Sequence, residues 1–207
     1  MKLYDFPKSS ASFRVRIAAN LKGLDIESSL VDFRRDEQRS DQYLSVARSG
    51  LVPALVDGEL TLTQSLAICR YLDHIEPSPR LFPKDPKDEA IMLSMALTIA
   101  CDIHPLNNLR VLKYLREQFG QSEEAVNAWY AHWITLGFEG LEELVQKHGS
   151  DTHCFGETVS FADICLVPQM FNARRFNVAL DAFPRLVAID RSLQQHSAYR
   201  DAAPQMS

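Results

Sequence analysis

Apolar residues change their spacing near residues 77–86. Before that stretch they come in short runs, and after it they recur at helical intervals almost to the end. Leu3 to Phe6 predicts a short strand closed by Pro7. Phe13, Ile17, Ala18 and Leu21 share one face of a helix predicted over residues 12–22, with Ser9, Ser10 and Ser12 as N-cap candidates and Gly23 as the stop. Ile26 to Phe33 predicts a second strand, and the charged stretch Arg34 to Arg48 a weak helix or a loop. Val52 to Val56 predicts a third strand, with an Asp57-Gly58 hairpin turn into Glu59 to Leu62. Ser65 then caps a helix through Glu76, with Leu66, Ile68, Cys69, Leu72 and Ile75 in its apolar stripe. The order β-α-β-α-β-β-α is a thioredoxin-like arrangement.

Pro77, Pro79, Pro83 and Pro86 punctuate a linker that cannot be helical throughout. Helical periodicity resumes near Asp88. The fold class is therefore α/β plus all-α: a thioredoxin-like N-terminal domain over residues 1–78, then an all-helical C-terminal domain over 87–207. Ala90 to Ile103 is the longest apolar stretch and predicts one buried core helix, too short to span a bilayer. Ser160 and Asp163 form an S-x-x-D variant of the capping box, with Val159 and Ile164 at the staple positions, so a core helix starts there.

Composition narrows the function classes. The chain has 207 residues, 46% hydrophobic, enough for a sizeable core, and 24% charged residues argue against disorder. A net charge of -5 with interspersed signs offers no concentrated basic face for nucleic acid, and an anionic substrate would need a local cluster of cations. Cys69, Cys101, Cys154 and Cys165 form no C-x-x-C and have no zinc-site spacing to histidine, so reduced thiols, a cytoplasmic location and no metal are expected. Met1 to Phe6 carries no apolar signal segment, and no membrane association is expected.

A thioredoxin-like domain without C-x-x-C keeps one asset, the sheet end where helices begin, with free N–H groups and a positive dipole end. At Pro7 to Arg14 two readings stand: plain N-capping of the first helix, or a serine hydroxyl placed to donate to a sulfur anion and lower its pKa. Gln64-Ser65 opens another helix, where a carboxylate can rest. Val52-Pro53 heads a strand; a cis bond there would present the Val52 backbone to an extended peptide. The three sites together describe a groove for a short peptide carrying a thiol and carboxylates.

Ser9-Ser10-Ala11-Ser12-Phe13-Arg14-Val15-Arg16-Ile17-Ala18 resembles the S-S-C-S-x-R-V-R-I-A signature of zeta-class glutathione transferases. Asp102 to Leu112 is similar to that class's I-H/Q-P-L-Q-N-L segment. Cys154-Phe155-Gly156 through Ala162-Asp163-Ile164-Cys165-Leu166-Val167-Pro168-Gln169, then Asn172 to Phe176, resembles its C-V-G-D…A-D-x-C-L-V-P-Q…N-A-x-R-F block. The resemblance covers nearly the whole chain. The class includes maleylacetoacetate isomerase and, in bacteria, maleylpyruvate isomerase.

The resemblance implies the glutathione transferase fold, glutathione as cofactor, and a homodimer. It places Ser9 at the glutathione thiolate with Ser10 beside it, Val52 before a cis Pro53 against the cysteinyl backbone, and Gln64 and Ser65 on the γ-glutamyl end. Gln38, His104, Asn108 and Arg110 match further glutathione contacts. Lys8, Arg110 and Arg175 match cations suited to substrate carboxylates. Without the resemblance, His104 reads as a helix-kink or surface residue and each cation as a solvated charge.

The implied activity is reversible thiolate addition to a cis double bond conjugated to a ketone, rotation, and expulsion of the thiolate. Maleylacetoacetate, from aromatic amino acid catabolism, is the first substrate; maleylpyruvate is the alternative. A general glutathione transferase or dehalogenase, and a non-catalytic interaction module, are further alternatives. Three departures from the family stand out. Ala11 replaces its cysteine, Lys8 its arginine, and Ala47-Arg48-Ser49-Gly50-Leu51 its usual lead-in to Val52-Pro53.

Overall fold

The computed structural model describes residues 1–204 and divides into two compact units: Met1–Leu81 with the C-terminal segment from His196, and Phe82–Gln195. The last segment, expected with the helical domain, thus belongs to the first unit. Its reason is physical. The helix Ser197–Ala202 buries Ala198, Tyr199 and Ala202 and lies against the helix Ser10–Leu21. Arg16 Nε donates to the Ala202 carbonyl at 2.9 Å and Asn20 Nδ2 to the Ala198 carbonyl at 3.0 Å.

The first unit runs β1 (Lys2–Asp5), α1 (Ser10–Leu21), β2 (Glu27–Leu30), two 3-10 turns (Phe33–Arg35 and Glu37–Arg39), α2 (Asp41–Leu44), β3 (Ala54–Asp57), β4 (Leu60–Thr63) and α3 (Ser65–Ile75). The sheet order is β2-β1-β3-β4, with β1 parallel to β2 and antiparallel to β3, and β3 antiparallel to β4. Leu3 and Leu55 on the sheet, and Phe13, Ile17, Ile68 and Leu72 on α1 and α3, are buried, so the two helices share one apolar layer. β2 is shorter than expected and mostly exposed, an edge strand that Asp32 ends by capping the first 3-10 turn. The chain beyond α3 is clamped by a buried ion pair. Lys22 Nζ meets Asp73 Oδ1 at 2.6 Å and the Pro79 carbonyl, while Asp73 accepts from Leu81 N.

The second unit holds α4 (Pro86–Leu97), a π-helical turn (Thr98–Ile103), α5 (Leu109–Phe119), α6 (Glu123–His148), α7 (Phe161–Arg175) and α8 (Pro184–Leu193); α9 is Ser197–Ala202 in the first unit. The single core helix expected over Ala90 to Ile103 is broken, because a π-helical turn follows Leu97. α7 is buried over most of its length, and Asp163 fixes its start. One carboxylate oxygen accepts from Ser160 N, as the capping-box reading required, and also from Ser160 Oγ, and the other accepts from Cys154 N at 2.7 Å.

Candidate active site

Strand register decides what gathers at one end of the sheet. Tyr4 of β1 and Thr63 of β4 both stand opposite Ala54 of β3. Past Tyr4 the chain runs to Ser9; before Ala54 it comes from Val52 and Pro53; past Thr63 it runs to Gln64 and Ser65. All three segments leave the sheet at the same end. β2 is parallel to β1, with Leu30 opposite Asp5, so the chain leading to Gln38 starts there too. Gly50, in the left-handed region at φ 63, holds that loop close: a Cβ on it would come within 2.9 Å of the Gln38 carbonyl oxygen. The Val52-Pro53 bond is cis.

Ser9 is the N-cap of α1. Its Oγ accepts from Ser12 N at 3.2 Å, which spends a lone pair and leaves the hydroxyl proton for an outside acceptor. Capping and donation to an anion, the two readings of this loop, are therefore compatible in one side chain. Ser10 is the first residue of α1 and is buried; Ala11 follows it, half-buried, at the position of the family cysteine.

At α3 the expectation needs correction. Ser65 is the first residue of the helix, and Gln64 is its N-cap, at φ 71 and with no side-chain capping bond. The first-turn N–H groups are thus left to an external acceptor. Ser65 is buried and its Oγ accepts from Arg14 Nη1 at 3.3 Å. Arg14 was legible only as part of a motif; an arginine one turn from Ile17 and Ala18, on the apolar stripe, was the available signal. Gln38 donates through Nε2 to Asp36 Oδ1 at 3.0 Å, while its buried Oε1 has no partner. An outward hydroxyl, unspent helix N–H groups and an unsatisfied amide oxygen suit a peptide with a thiol, amides and a carboxylate. Glutathione fits that donor set.

In the second unit, His104 and Asn108 do not share a helical face. His104 caps the π-helical turn, whereas Asn108 is the extended N-cap of α5 and accepts from Arg110 N. The turn between them is pinned to α6: Asn107 Nδ2 donates to the Tyr130 carbonyl and Trp129 Nε1 to the Leu106 carbonyl. Tyr130 also stacks on Phe176 at 3.8 Å between centroids, and the Arg175 guanidinium lies over the Phe176 ring at 5.5 Å. Burial pushes the Tyr130 hydroxyl well above its ordinary pKa, against the opposing charge of Arg175, so it stays a neutral donor. Arg175, at the end of α7, is exposed, with its guanidinium over the Phe176 ring. Arg174, beside it, pairs with buried Asp190 at 2.5 Å. Burial raises the Asp190 pKa while Arg174 and Gln194 oppose it. Lys8 and Arg110 are exposed.

Residues 1–74 match the family described as glutathione S-transferase, N-terminal domain. A Vibrio cholerae protein named probable maleylacetoacetate isomerase is 45% identical over 98% of this chain and 95% of its own length. The solved holo structure of a maleylpyruvate isomerase, described as a bacterial glutathione S-transferase of the zeta class, is 41% identical with a TM-score of 0.96, covering 99% of this chain and 97% of that one. A maleylacetoacetate isomerase from Methylobacterium extorquens AM1, solved with bound malonate and glutathione, is 34% identical with a TM-score of 0.94, covering 99% and 96%.

Proposed function

Since the chain belongs to the zeta-class glutathione transferase family of maleylacetoacetate and maleylpyruvate isomerases, we propose that it is a glutathione-dependent cis-trans isomerase of a maleyl keto diacid, with maleylacetoacetate as its substrate. Bound glutathione supplies a sulfur that adds reversibly to the cis double bond, allows rotation and leaves. Ser9 keeps that sulfur ionised by donating its hydroxyl proton, with Ser10 and the N-terminal end of α1 adding positive potential. Val52 and Pro53 align the cysteinyl segment, Gln64 and Ser65 hold the γ-glutamyl end, and Gln38, His104, Asn108 and Arg110 bind the rest of the peptide. Lys8, Arg110 and Arg175 take the acid's carboxylates, and Arg175 offers a two-pronged donor fork. No carbon-bound proton need move, so no general base is required.

The observation that supports this reading is the sheet end, where register alone gathers Ser9, Val52, Gln64 and Ser65. The test is a coupled assay with maleylacetoacetate and maleylpyruvate side by side, with and without glutathione. Conversion of maleylacetoacetate only with glutathione supports the proposal; activity without glutathione, or none with either acid, sinks it. A second reading, maleylpyruvate isomerase, is favoured by the 0.96 TM-score to an enzyme of that name, and the same assay separates the two. A keto acid is held at Arg175 in either case.

A homodimer in the cytoplasm completes the proposal, by analogy with the fold family. Among the described residues no helix is long and apolar enough to cross a membrane. Light scattering at micromolar concentration should give twice the 23.4 kDa chain mass; a monomeric mass would contradict this.

A further inference from the structure

One buried charge in the first unit has no counterion. Arg14 lies on the inner face of α1, 2% exposed, and carries a guanidinium cation with five N–H donors and no acceptor. Nη1 donates to Ser65 Oγ, but Nε and Nη2 are buried with no acceptor. Among the described residues no ion pair involves Arg14. Its neighbours differ: Arg16 pairs with Asp5 at 2.7 Å, and buried Lys22 with Asp73 at 2.6 Å. A buried cation with idle donors costs stability unless an anion arrives to compensate it.

The place for that anion is the end of α3 that Arg14 touches. Three features meet there: first-turn N–H groups without a side-chain cap, a buried serine hydroxyl, and the Arg14 guanidinium bonded to that hydroxyl. We infer that Arg14 is a positioning residue for the carboxylate at this helix end, the γ-glutamyl carboxylate of glutathione, and acts as its buried counter-charge; this rests on the glutathione reading above. Arg14 acts through Ser65. Because Nη1 occupies a lone pair of Ser65 Oγ from inside, the hydroxyl proton turns outward and Ser65 becomes a donor to the ligand. The guanidinium adds long-range attraction in a poorly solvated place.

Calorimetry on the wild-type chain, Arg14→Met and Arg14→Lys tests this with two ligands. One is glutathione, and the other is 4-aminobutyryl-cysteinylglycine, the same peptide without the γ-glutamyl α-carboxylate. Arg14→Met should weaken glutathione about 10- to 100-fold and leave the analogue within about 2-fold of wild type. Arg14→Lys should fall between for glutathione, since it keeps the charge and loses the fork. Without ligand, Arg14→Met should melt no lower than wild type, because it removes an unpaired buried charge; with glutathione its upshift should shrink. Equal weakening of both ligands, or of neither, overturns the role of Arg14. An Arg14→Met chain that melts lower or does not fold overturns the counter-charge. The Arg14→Lys pair of titrations then still tests the positioning role. No heat from millimolar glutathione on the wild-type chain overturns the glutathione reading itself; wild-type heat unchanged in Arg14→Met overturns Arg14 alone.

Discussion

Ser9 caps α1 and is proposed to donate to the glutathione sulfur, and the two roles can be separated. Ser9→Ala loses the bond from Ser12 N, about 0.5–2 kcal/mol of capping, and the donor to the thiolate, about 1.5–3 kcal/mol or roughly 10- to 100-fold in turnover. Ser9→Asp restores an acceptor for Ser12 N but cannot donate when ionised. It should recover the melting temperature and not the turnover. Steady-state kinetics and melts on both variants check this, and a Ser10→Ala chain slower than Ser9→Ala would reassign the activating hydroxyl. Arg175→Ala should raise KM for the keto diacid, costing about 1.5–3 kcal/mol in kcat/KM while leaving glutathione affinity alone. Arg174→Ala should instead lower stability by about 1–3 kcal/mol, because Asp190 has no exposed side-chain surface, although the guanidinium is 44% exposed. Equal KM losses in the two variants would mean that Arg175 is only a surface charge. At this scale the sequence named Ser9, Ser65 and Arg175 through their motif. It could not show that Arg14 is buried against Ser65, or that Arg174 pairs with Asp190, because those neighbours lie 51 and 16 positions away.

Elements with a clear period were legible: α1 and the capping-box start of α7 appear where apolar spacing and caps put them, and α3 appears where its apolar stripe puts it, with Gln64 and not Ser65 as its cap. The charged stretch from Arg34, read as a weak helix or a loop, holds two three-residue turns and a four-residue helix, whose individual bounds have no period to detect. The apolar run from Ala90 hid its break at Leu97, because hydrophobicity reports burial and not hydrogen-bond pattern. Close packing against α6 accompanies that break. A Cβ on Gly137 would lie 2.4 Å from Ile103 Cγ1 and Cδ1, so only a glycine lets the π-helical turn approach. Gly137→Ala gains about 1 kcal/mol of helix propensity but overpacks the site by about 1–3 kcal/mol. Thermal melts should show net destabilisation, relieved when Ile103→Ala is added. A more stable Gly137→Ala single variant would mean that Ile103 moves aside freely.

Sequence order misplaces the end of the chain, since the segment from His196 belongs with the first unit although it follows the helical one. No local pattern could reveal this: a six-residue helix has little periodicity, and its partners Arg16 and Asn20 are 186 and 178 positions away. The assignment has a consequence for unfolding. Both tryptophans, Trp129 and Trp133, lie in the second unit, so their emission reports that unit, whereas glutathione is proposed to rest largely on the first. Removing the chain from His196 onward uncovers α1 and deletes the buried Tyr199, Ala198 and Ala202 with two hydrogen bonds to α1. Burial and hydrogen bonding together suggest about 4–6 kcal/mol, a large part of a domain's usual stability. The truncated chain should therefore lose most of its glutathione-dependent thermal upshift, and its circular-dichroism transition should begin well below the tryptophan transition. In the full-length chain the two probes should nearly coincide if the units melt together. Truncation that shifts tryptophan emission and circular dichroism downward by the same amount, with the glutathione upshift intact, would place the last helix's energetic role in the helical unit instead.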